Sequence, residues 1–319
     1  MQSSGKLHLG NLVGALSNWV RLQDKYDCYY FIADWHALTT GYADPSSIKE
    51  STKDLLINFL SAGLDPERCT IFVQSRVIQH AELHLLLSMI TPLGWLERVP
   101  TYKEKQQELR EKDLSTYGFL GYPLLQTADI IIYRAKYVPV GIDQVPHLEI
   151  SREIARRFNN FYKEVFPEPE ALLTEFPKVV GTDGRKMSKS YDNAIYLSDA
   201  PKEVERKIMT MVTDPARVKK TDTGNPELSP VYQLHKIFSS KEDQESVAKG
   251  CRTAGIGCIE CKKVLINNVF KVMEPIWKKR NELILNPGIL QDILDRGTEK
   301  ATKVAEETMQ LVREAMGLY

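Results

Sequence analysis

Apolar residues at Leu12, Ala15, Leu16, Trp19 and Val20 recur at the spacing of one buried helical face, directly after Leu9-Gly10-Asn11. Asp27-Cys28-Tyr29-Tyr30-Phe31-Ile32-Ala33 is a short apolar run suited to a buried strand, and Cys69-Thr70-Ile71-Phe72-Val73 is another. Ser46 to Ala62 and Ala81 to Ile90 carry helical periodicity. Alternating strands and helices predict an α/β fold with a doubly wound parallel sheet. Beyond Asp199 the strand pattern stops. Val204–Val212, Val231–Ser239, Cys261–Ile284 and Glu299–Met316 read as helices, the last with Ala301, Val304, Ala305, Thr308, Leu311, Val312 and Ala315 on one stripe. The boundary falls near Lys178–Tyr196, where Gly181-Thr182-Asp183-Gly184 has turn chemistry. The predicted organisation is a sheet domain over 1–180, a loop and linker over 181–198, and a helical C-terminal domain over 199–319 whose last helix can pack back on the first domain.

Length narrows this little, since 319 residues suit about two domains of ordinary size. Hydrophobic residues at 43% and charged ones at 26% are the usage of a soluble globular chain rather than a disordered or fibrous one. The 42 basic and 42 acidic residues cancel, so any nucleic-acid surface has to be a local patch. No signal-peptide pattern opens the chain and no apolar run approaches a membrane span, which predicts a cytoplasmic protein. Five cysteines, an odd number, argue against a disulfide framework and for thiols or metal ligands.

Two segments carry candidate chemistry. Ser3-Ser4-Gly5-Lys6-Leu7-His8-Leu9-Gly10-Asn11 ends just where helix periodicity begins, a place where unpaired N–H groups and the helix dipole favour a phosphate. Gly10 permits close approach of a nucleotide, and His8 can donate to phosphate oxygens; plain helix capping is the competing explanation. Lys186-Met187-Ser188-Lys189-Ser190 follows Arg185 and the Asp183-Gly184 turn as a basic, mobile loop whose ammonium groups can clamp a polyphosphate on closing. It lacks the order of a P-loop, and taken alone it equally fits a solvated basic loop. A third segment, Gly121 to Asp129, opens a helix on which Tyr122, Gln126, Asp129 and Tyr133 share a face. Polar groups on a buried face need partners, and an ionised Asp129 would accept from a donor such as an indole N–H. A contact to backbone or to another helix would occupy that carboxylate equally well.

The first two motifs, in this order, resemble the His-Ile-Gly-His-like signature and the Lys-Met-Ser-Lys-Ser loop of class I aminoacyl-tRNA synthetases, the second without alteration. Along its whole length the chain is similar to the bacterial or organellar tryptophanyl-tRNA synthetase family, through Gln2 to Gly5, Ile32 to Ala37, Tyr122 to Asp129, Val138 to Gln144 and the Lys186–Ser190 loop. The resemblance implies a Rossmann-type sheet, tryptophan adenylation by ATP with Mg²⁺, transfer to the 3′-terminal ribose of tRNA(Trp), and a homodimer. It implies that Asp129 accepts the indole N–H, that Tyr122 and Gln144 approach the α-amino group, that His36 and Gln126 lie by the amino acid, and that Val138 and Val140 shape the pocket. Gln2, Ser3, Ser4, Gly10, Asn11, Gly141, Ile142, Asp143, Val179 and Lys186, Met187, Ser188, Lys189 and Ser190 would surround ATP, with Lys186, Lys189, His8 and Gln2 in catalytic roles. Tyrosyl-tRNA synthetase is the runner-up, and behind it stand a non-catalytic RNA-binding paralogue and an adenylyltransferase of the same nucleotide-binding superfamily. The family has a short strand ahead of the segment matching Gln2 to Gly5, and Ser3 stands where proline is common. That implies numbering that begins inside a longer protein, or else impaired activity.

Cys251, Cys258 and Cys261 form Cys-x6-Cys-x2-Cys in a loop predicted over Gly250–Lys263, while Cys28 and Cys69 suit inert core positions. Some members of the family hold a [4Fe–4S] cluster through a fourth, upstream cysteine, whose place here is taken by Leu228 beside Ser229. The cluster, structural zinc and no metal at all remain open on this pattern. Lys262, Lys263, Lys271, Lys278, Lys279 and Arg280 follow on helical sequence, as a solvated face or an RNA contact.

Overall fold

A computed structural model describes residues 1–319 except 4, 101, 103–113, 174–178, 218 and 220. Strands β1 (Cys28–Ile32) and β2 (Cys69–Val73) pair in parallel, with Cys28 opposite Cys69 and Ile32 opposite Val73. Every residue of β2 is buried, as its continuous apolar run requires of a parallel strand covered on both faces. A second parallel pair joins β3 (Tyr137–Val140) to β4 (Glu170–Leu173). Periodicity did not announce these two. Pro139 cannot donate to a ladder, and Glu-Ala-Leu-Leu is helix-forming in composition.

Met1 and Gln2 continue alongside the upper end of β1: the N-terminal amine donates to Phe31 O at 2.6 Å, Ala33 N donates to Met1 O at 2.8 Å, and Gln2 bridges to Ala33 in parallel. Between the edges of β1 and β3 lies a cavity of about 490 Å³, lined by Tyr29, Phe31, Asp129, Tyr133, Val138 and Pro139 among others. Helix predicted from Leu12 onward is present but not regular. Leu9–Asn11 is α-helical, Leu12–Leu16 is a π-turn, and Ser17–Leu22 returns to α. Ser17 Oγ donates to Leu12 O at 2.8 Å, a carbonyl that also accepts from Ser17 N across the wider turn. Leu9, Leu12 and Leu16 stay buried and Trp19 stacks on Tyr30 at 4.8 Å, so the apolar stripe survives the change of pitch.

The C-terminal helices close on the sheet. Helix Pro287–Met316 lies against β2, where Gly297 is essential: a Cβ there would fall on the Ile71 carbonyl. Its Ala301, Ala305, Met309 and Val312 share one core with Phe72, Leu83 and Leu87, each large apolar side chain there stabilising the fold by roughly 1.5–3 kcal/mol. At its end Arg313 donates to both oxygens of Glu82, at 2.7 and 2.6 Å. The preceding helix, Cys258–Leu285, packs on Ile48–Ser61, and there Arg280 donates to Asn58 Oδ1 at 2.6 Å and Asp54 Oδ1 at 2.8 Å. A further helix, Lys241–Arg252, has no counterpart in the periodicity of the sequence because only Val247 and Ala248 of it are buried, which leaves almost no stripe to detect. Its start is marked by Ser240 Oγ, which accepts from Asp243 N.

Candidate active site

The two motifs singled out by spacing meet in space. Leu9 N donates to Ile195 O and Leu197 N donates to Leu7 O, both at 2.9 Å, with His8 bridging Tyr196 in antiparallel fashion. This short ladder clips the chain that follows the basic loop to the chain that enters the first helix. The loop itself hangs from a tight hairpin: Gly181 N donates to Arg185 O, Val180 bridges Lys186, and Gly184 takes the left-handed φ of +85° that the turn needs. Met187 is buried in the main core, and Asn193 braces the turn from inside, its Oδ1 accepting from Ser188 N and its Nδ2 donating to Asp183 Oδ1 and Lys186 O. The expected mobile loop therefore has fixed anchors at Met187 and Asn193, with Arg185, Lys186, Ser190 and Tyr191 exposed around them.

Lys189 turns inward. Its Nζ lies 3.4 Å from where a Cβ on Gly5 would sit, and Gly5 has φ +104°, open only to glycine without strain. Burial lowers the Lys189 ammonium pKa, partly offset by Asp54. Burial, then Lys189 and Lys186, lowers the His8 pKa to about 4, so the imidazole stands neutral here at ordinary pH. Its backbone N donates to Asn11 Oδ1 at 3.0 Å, so Asn11 caps the helix start. A Cβ on Gly10 would come within 2.9 Å of the His8 ring, so a larger residue there pushes that ring aside. Ser3 Oγ is buried with no partner among the described residues. Two cationic side chains and an unpaired hydroxyl at the positive end of the first helix are a donor set for a polyphosphate. Ser4 lies outside the described residues.

Asp129, the predicted acceptor, is 4% exposed and is the focus of a polar cluster. His36 Nε2 lies 2.8 Å from Oδ2, His80 Nδ1 lies 2.6 Å from Oδ1, and Gln74 Nε2 donates to both oxygens at 2.8 and 2.9 Å. Burial pushes the Asp129 carboxyl up, but the hydrogen bonds from His36 and His80 outweigh it and hold it well below the usual range. Gln74 and His80 were not singled out in the sequence. The signal available was position: Gln74 directly follows β2, at the carboxyl end of a parallel strand, where ligands of open α/β sheets bind. His36 lies four residues past the end of β1 by the same rule, and Gln2 Nε2 donates to its carbonyl at 2.6 Å.

Other predicted residues are more dispersed. Val138 lines the same cavity as Asp129, whereas His36, Tyr122, Gln126, Val140 and Gln144 do not. Tyr122 is buried against Phe119 and His147, its hydroxyl 3.4 Å from His147 Nε2. Gly141 is buried at the end of β3, Ile142 and Asp143 are exposed, and Gln144 donates to Asp143 Oδ2 at 3.0 Å. Val179 is buried beside Gly10.

The cysteine segment is not the loop that was expected. Cys251 lies in the last turn of Lys241–Arg252, Cys258 opens the next helix, and Cys261 is inside it. Burial, then Cys251 and Cys258, pushes the Cys261 thiol up to about 12. Among the described residues no group of three or more His, Cys, Asp or Glu side chains is placed to hold a metal ion, so the residues as arranged do not fit zinc or an iron–sulfur cluster. Two of the basic residues beyond it are structural. Lys262 is buried and donates to Met209 O and Met211 O, and Arg280 is buried on Asp54 and Asn58; Lys263, Lys271, Lys278 and Lys279 are exposed.

With this geometry in place, comparison with known proteins is informative. A profile for tRNA synthetases class I (W and Y) matches residues 1–274. Over 320 aligned residues the chain is 57% identical to a tryptophan–tRNA ligase of Thermotoga maritima, covering 100% of this chain and 98% of that one. A counterpart from Ralstonia nicotianae is 46% identical over 388 residues, covering 100% and 97%. Among solved structures, tryptophanyl-tRNA synthetase from Campylobacter jejuni complexed with ADP and tryptophan superposes with a TM-score of 0.92 at 37% identity, covering 100% of this chain and 98% of that one.

Proposed function

Since the chain belongs to the tryptophan and tyrosine group of class I tRNA synthetases, we infer that its first helix, its 186–190 loop and its Asp129 cluster together ligate tryptophan to tRNA at the expense of ATP. The reaction class is that of its relatives, an ATP-dependent aminoacyl-tRNA ligase. The observation that supports this placement of the site best is the closure of Lys189 onto Gly5 beside His8. ATP would rest there, against Gln2, Ser3, Gly10, Asn11, Val179 and the 186–190 loop, with the Gly141–Asp143 turn beside it and Mg²⁺ accompanying its phosphates. The tryptophan carboxylate attacks the α-phosphorus in line, pyrophosphate leaves, and the acyl group passes from the adenylate to a 3′-terminal ribose hydroxyl, the 2′-OH. Lys186 and Lys189 neutralise charge on the leaving pyrophosphate, with the positive end of the first helix beside them. A neutral His8 serves as a hydrogen-bond donor rather than as a third cation. No covalent bond to the enzyme is needed.

Asp129 accepts the indole N–H in place of one of the two contacts that Gln74 Nε2 makes to its oxygens, since those two, with His36 and His80, fill its about four acceptor positions. Tyr122 and Gln144 approach the α-amino group. A tyrosine ligand would bring an O–H at a different reach. Helices beyond residue 199 would receive the anticodon arm, with the exposed Lys263, Lys271, Lys278 and Lys279 as the basic face. A second copy of the chain would cover Ile78, Leu85, Met89, Leu93 and Tyr117, large apolar side chains between 55% and 66% exposed. The setting is the cytoplasm; no described helix is long and apolar enough to cross a membrane. Tryptophan-dependent ATP–pyrophosphate exchange, followed by charging of tRNA, tests the reading. Exchange driven equally by tyrosine, or absent with both, would overturn it.

A further inference from the structure

Behind Asp129 stands a second line of groups that the reaction does not touch. His80 is fully buried, with Nδ1 2.6 Å from Asp129 Oδ1 and Nε2 2.7 Å from the Tyr133 hydroxyl. The Tyr133 ring stacks on Tyr29 at 4.8 Å and meets Phe72 edge-on at 5.7 Å, so its hydroxyl has a fixed direction. A carboxylate can only accept, so His80 Nδ1 has to carry a proton. A neutral imidazole has then only a lone pair at Nε2, which the Tyr133 O–H satisfies as donor. Each group in the row thus dictates the proton position of the next.

We propose that His80 is a specificity-positioning residue: locked by Tyr133 as the Nδ1–H tautomer, it holds Asp129 as an oriented, acceptor-only carboxylate that demands a hydrogen-bond donor, such as the indole N–H, from the side chain of the bound amino acid. The inference rests on the reading of Asp129 as the indole acceptor. Gln74 and His36 also donate to this carboxylate, but neither is fixed in this way. Gln74 Oε1 has no partner among the described residues to hold the far side of its amide, and His36 is partly open to solvent. With His80 unable to donate, the Asp129 oxygens lose the contact that sets their rotation, and a ligand without an N–H is no longer penalised as strongly.

The experiment compares kcat/KM in pyrophosphate exchange for tryptophan and for its isostere with sulfur in place of the indole N–H. The unmodified enzyme is expected to prefer tryptophan by roughly 10- to 100-fold, the worth of a hydrogen bond to a charged group. His80→Asn puts an amide N–H at the place of Nδ1 and is expected to keep most of that preference. His80→Gln puts its amide at the place of Nε2 and is expected to lose most of it, with the isostere's own kcat/KM nearly unchanged. Tyr133→Phe, which keeps the ring packing, is expected to fall between. Equal preference in the Asn and Gln variants, or a preference unmoved by Gln and by Tyr133→Phe, overturns the role of His80. If the His80 variants do not fold, Tyr133→Phe decides alone: an unchanged preference overturns the proposal, and a reduced one supports it. Absence of any preference in the unmodified enzyme would instead overturn the reading of Asp129 itself.

Discussion

Replacing Asp129 by asparagine keeps the shape of the side chain and changes only what it can accept. Three N–H groups point at the carboxylate, from His36, Gln74 and His80, at 2.6 to 2.9 Å. In the amide one oxygen becomes an NH₂. Gln74 can adjust by turning its amide so that Oε1 accepts from the new donor. His80 bonds Oδ1 and His36 bonds Oδ2, so whichever meets the NH₂ has to move its proton to the other ring nitrogen or is left with an N–H facing an N–H. One unsatisfied buried donor costs about 1–3 kcal/mol of stability. For the substrate, exchanging a charged acceptor for a neutral or absent one costs about 1.5–3 kcal/mol, or roughly 10- to 150-fold in kcat/KM for tryptophan. Pyrophosphate exchange at varied tryptophan measures the second quantity, and urea unfolding the first. The KM for ATP should stay near its original value, since nucleotide and indole are held by separate groups. A variant with normal kcat/KM for tryptophan would refute the assignment of Asp129.

Lys189→Ala should depress pyrophosphate exchange about 10²- to 10³-fold while moving the KM for tryptophan little, as befits a group that acts on the leaving phosphates; equal losses in tryptophan binding and turnover would contradict this. His8, with its folded-state pKa lowered to about 4, protonates later than in the unfolded chain, so the fold is destabilised as pH falls from about 6.5 to 4 and keeps its full stability above. The stability of the parent relative to His8→Asn should therefore shrink between pH 7 and pH 5; a constant difference by urea unfolding would show that His8 is not held neutral. Arg280→Ala strands Asn58 and Asp54 between two helices and should lower stability by up to about 3 kcal/mol, the low end for a buried pair because Asp54 keeps contact with water, with no change in the KM for ATP. Protein purified without oxygen should be colourless and free of iron, since Cys251, Cys258 and Cys261 do not present a metal-holding set; a sulfur-to-iron absorption band would show that the helix starts rearrange around a cluster.

Much of this protein was legible without coordinates where a signal was local. The run Cys69 to Val73 reads as a buried strand because five consecutive positions are covered, and the Ala301–Val312 stripe reads as a helix because one face is apolar. The loop Lys186 to Ser190 and the helix start at Gly10 stood out because phosphate chemistry needs small residues and cations within a few positions of each other. Tertiary structure alone decided what depends on distant segments meeting. Lys189 is inward because residues 195 and 197 ladder onto residues 7 and 9, a pairing no periodicity contains. Lys262 and Arg280 looked like members of an exposed basic face, yet burial against carbonyls and Asp54 makes them braces. Gln74 and His80 carry no pattern of their own; only the packing of β2 and its following helix against the Tyr122–Ile131 helix turns them toward Asp129. Sequence determines which groups are available and which local conformations they favour, whereas a carboxylate's ionisation and direction are set by whichever donors the fold brings to it.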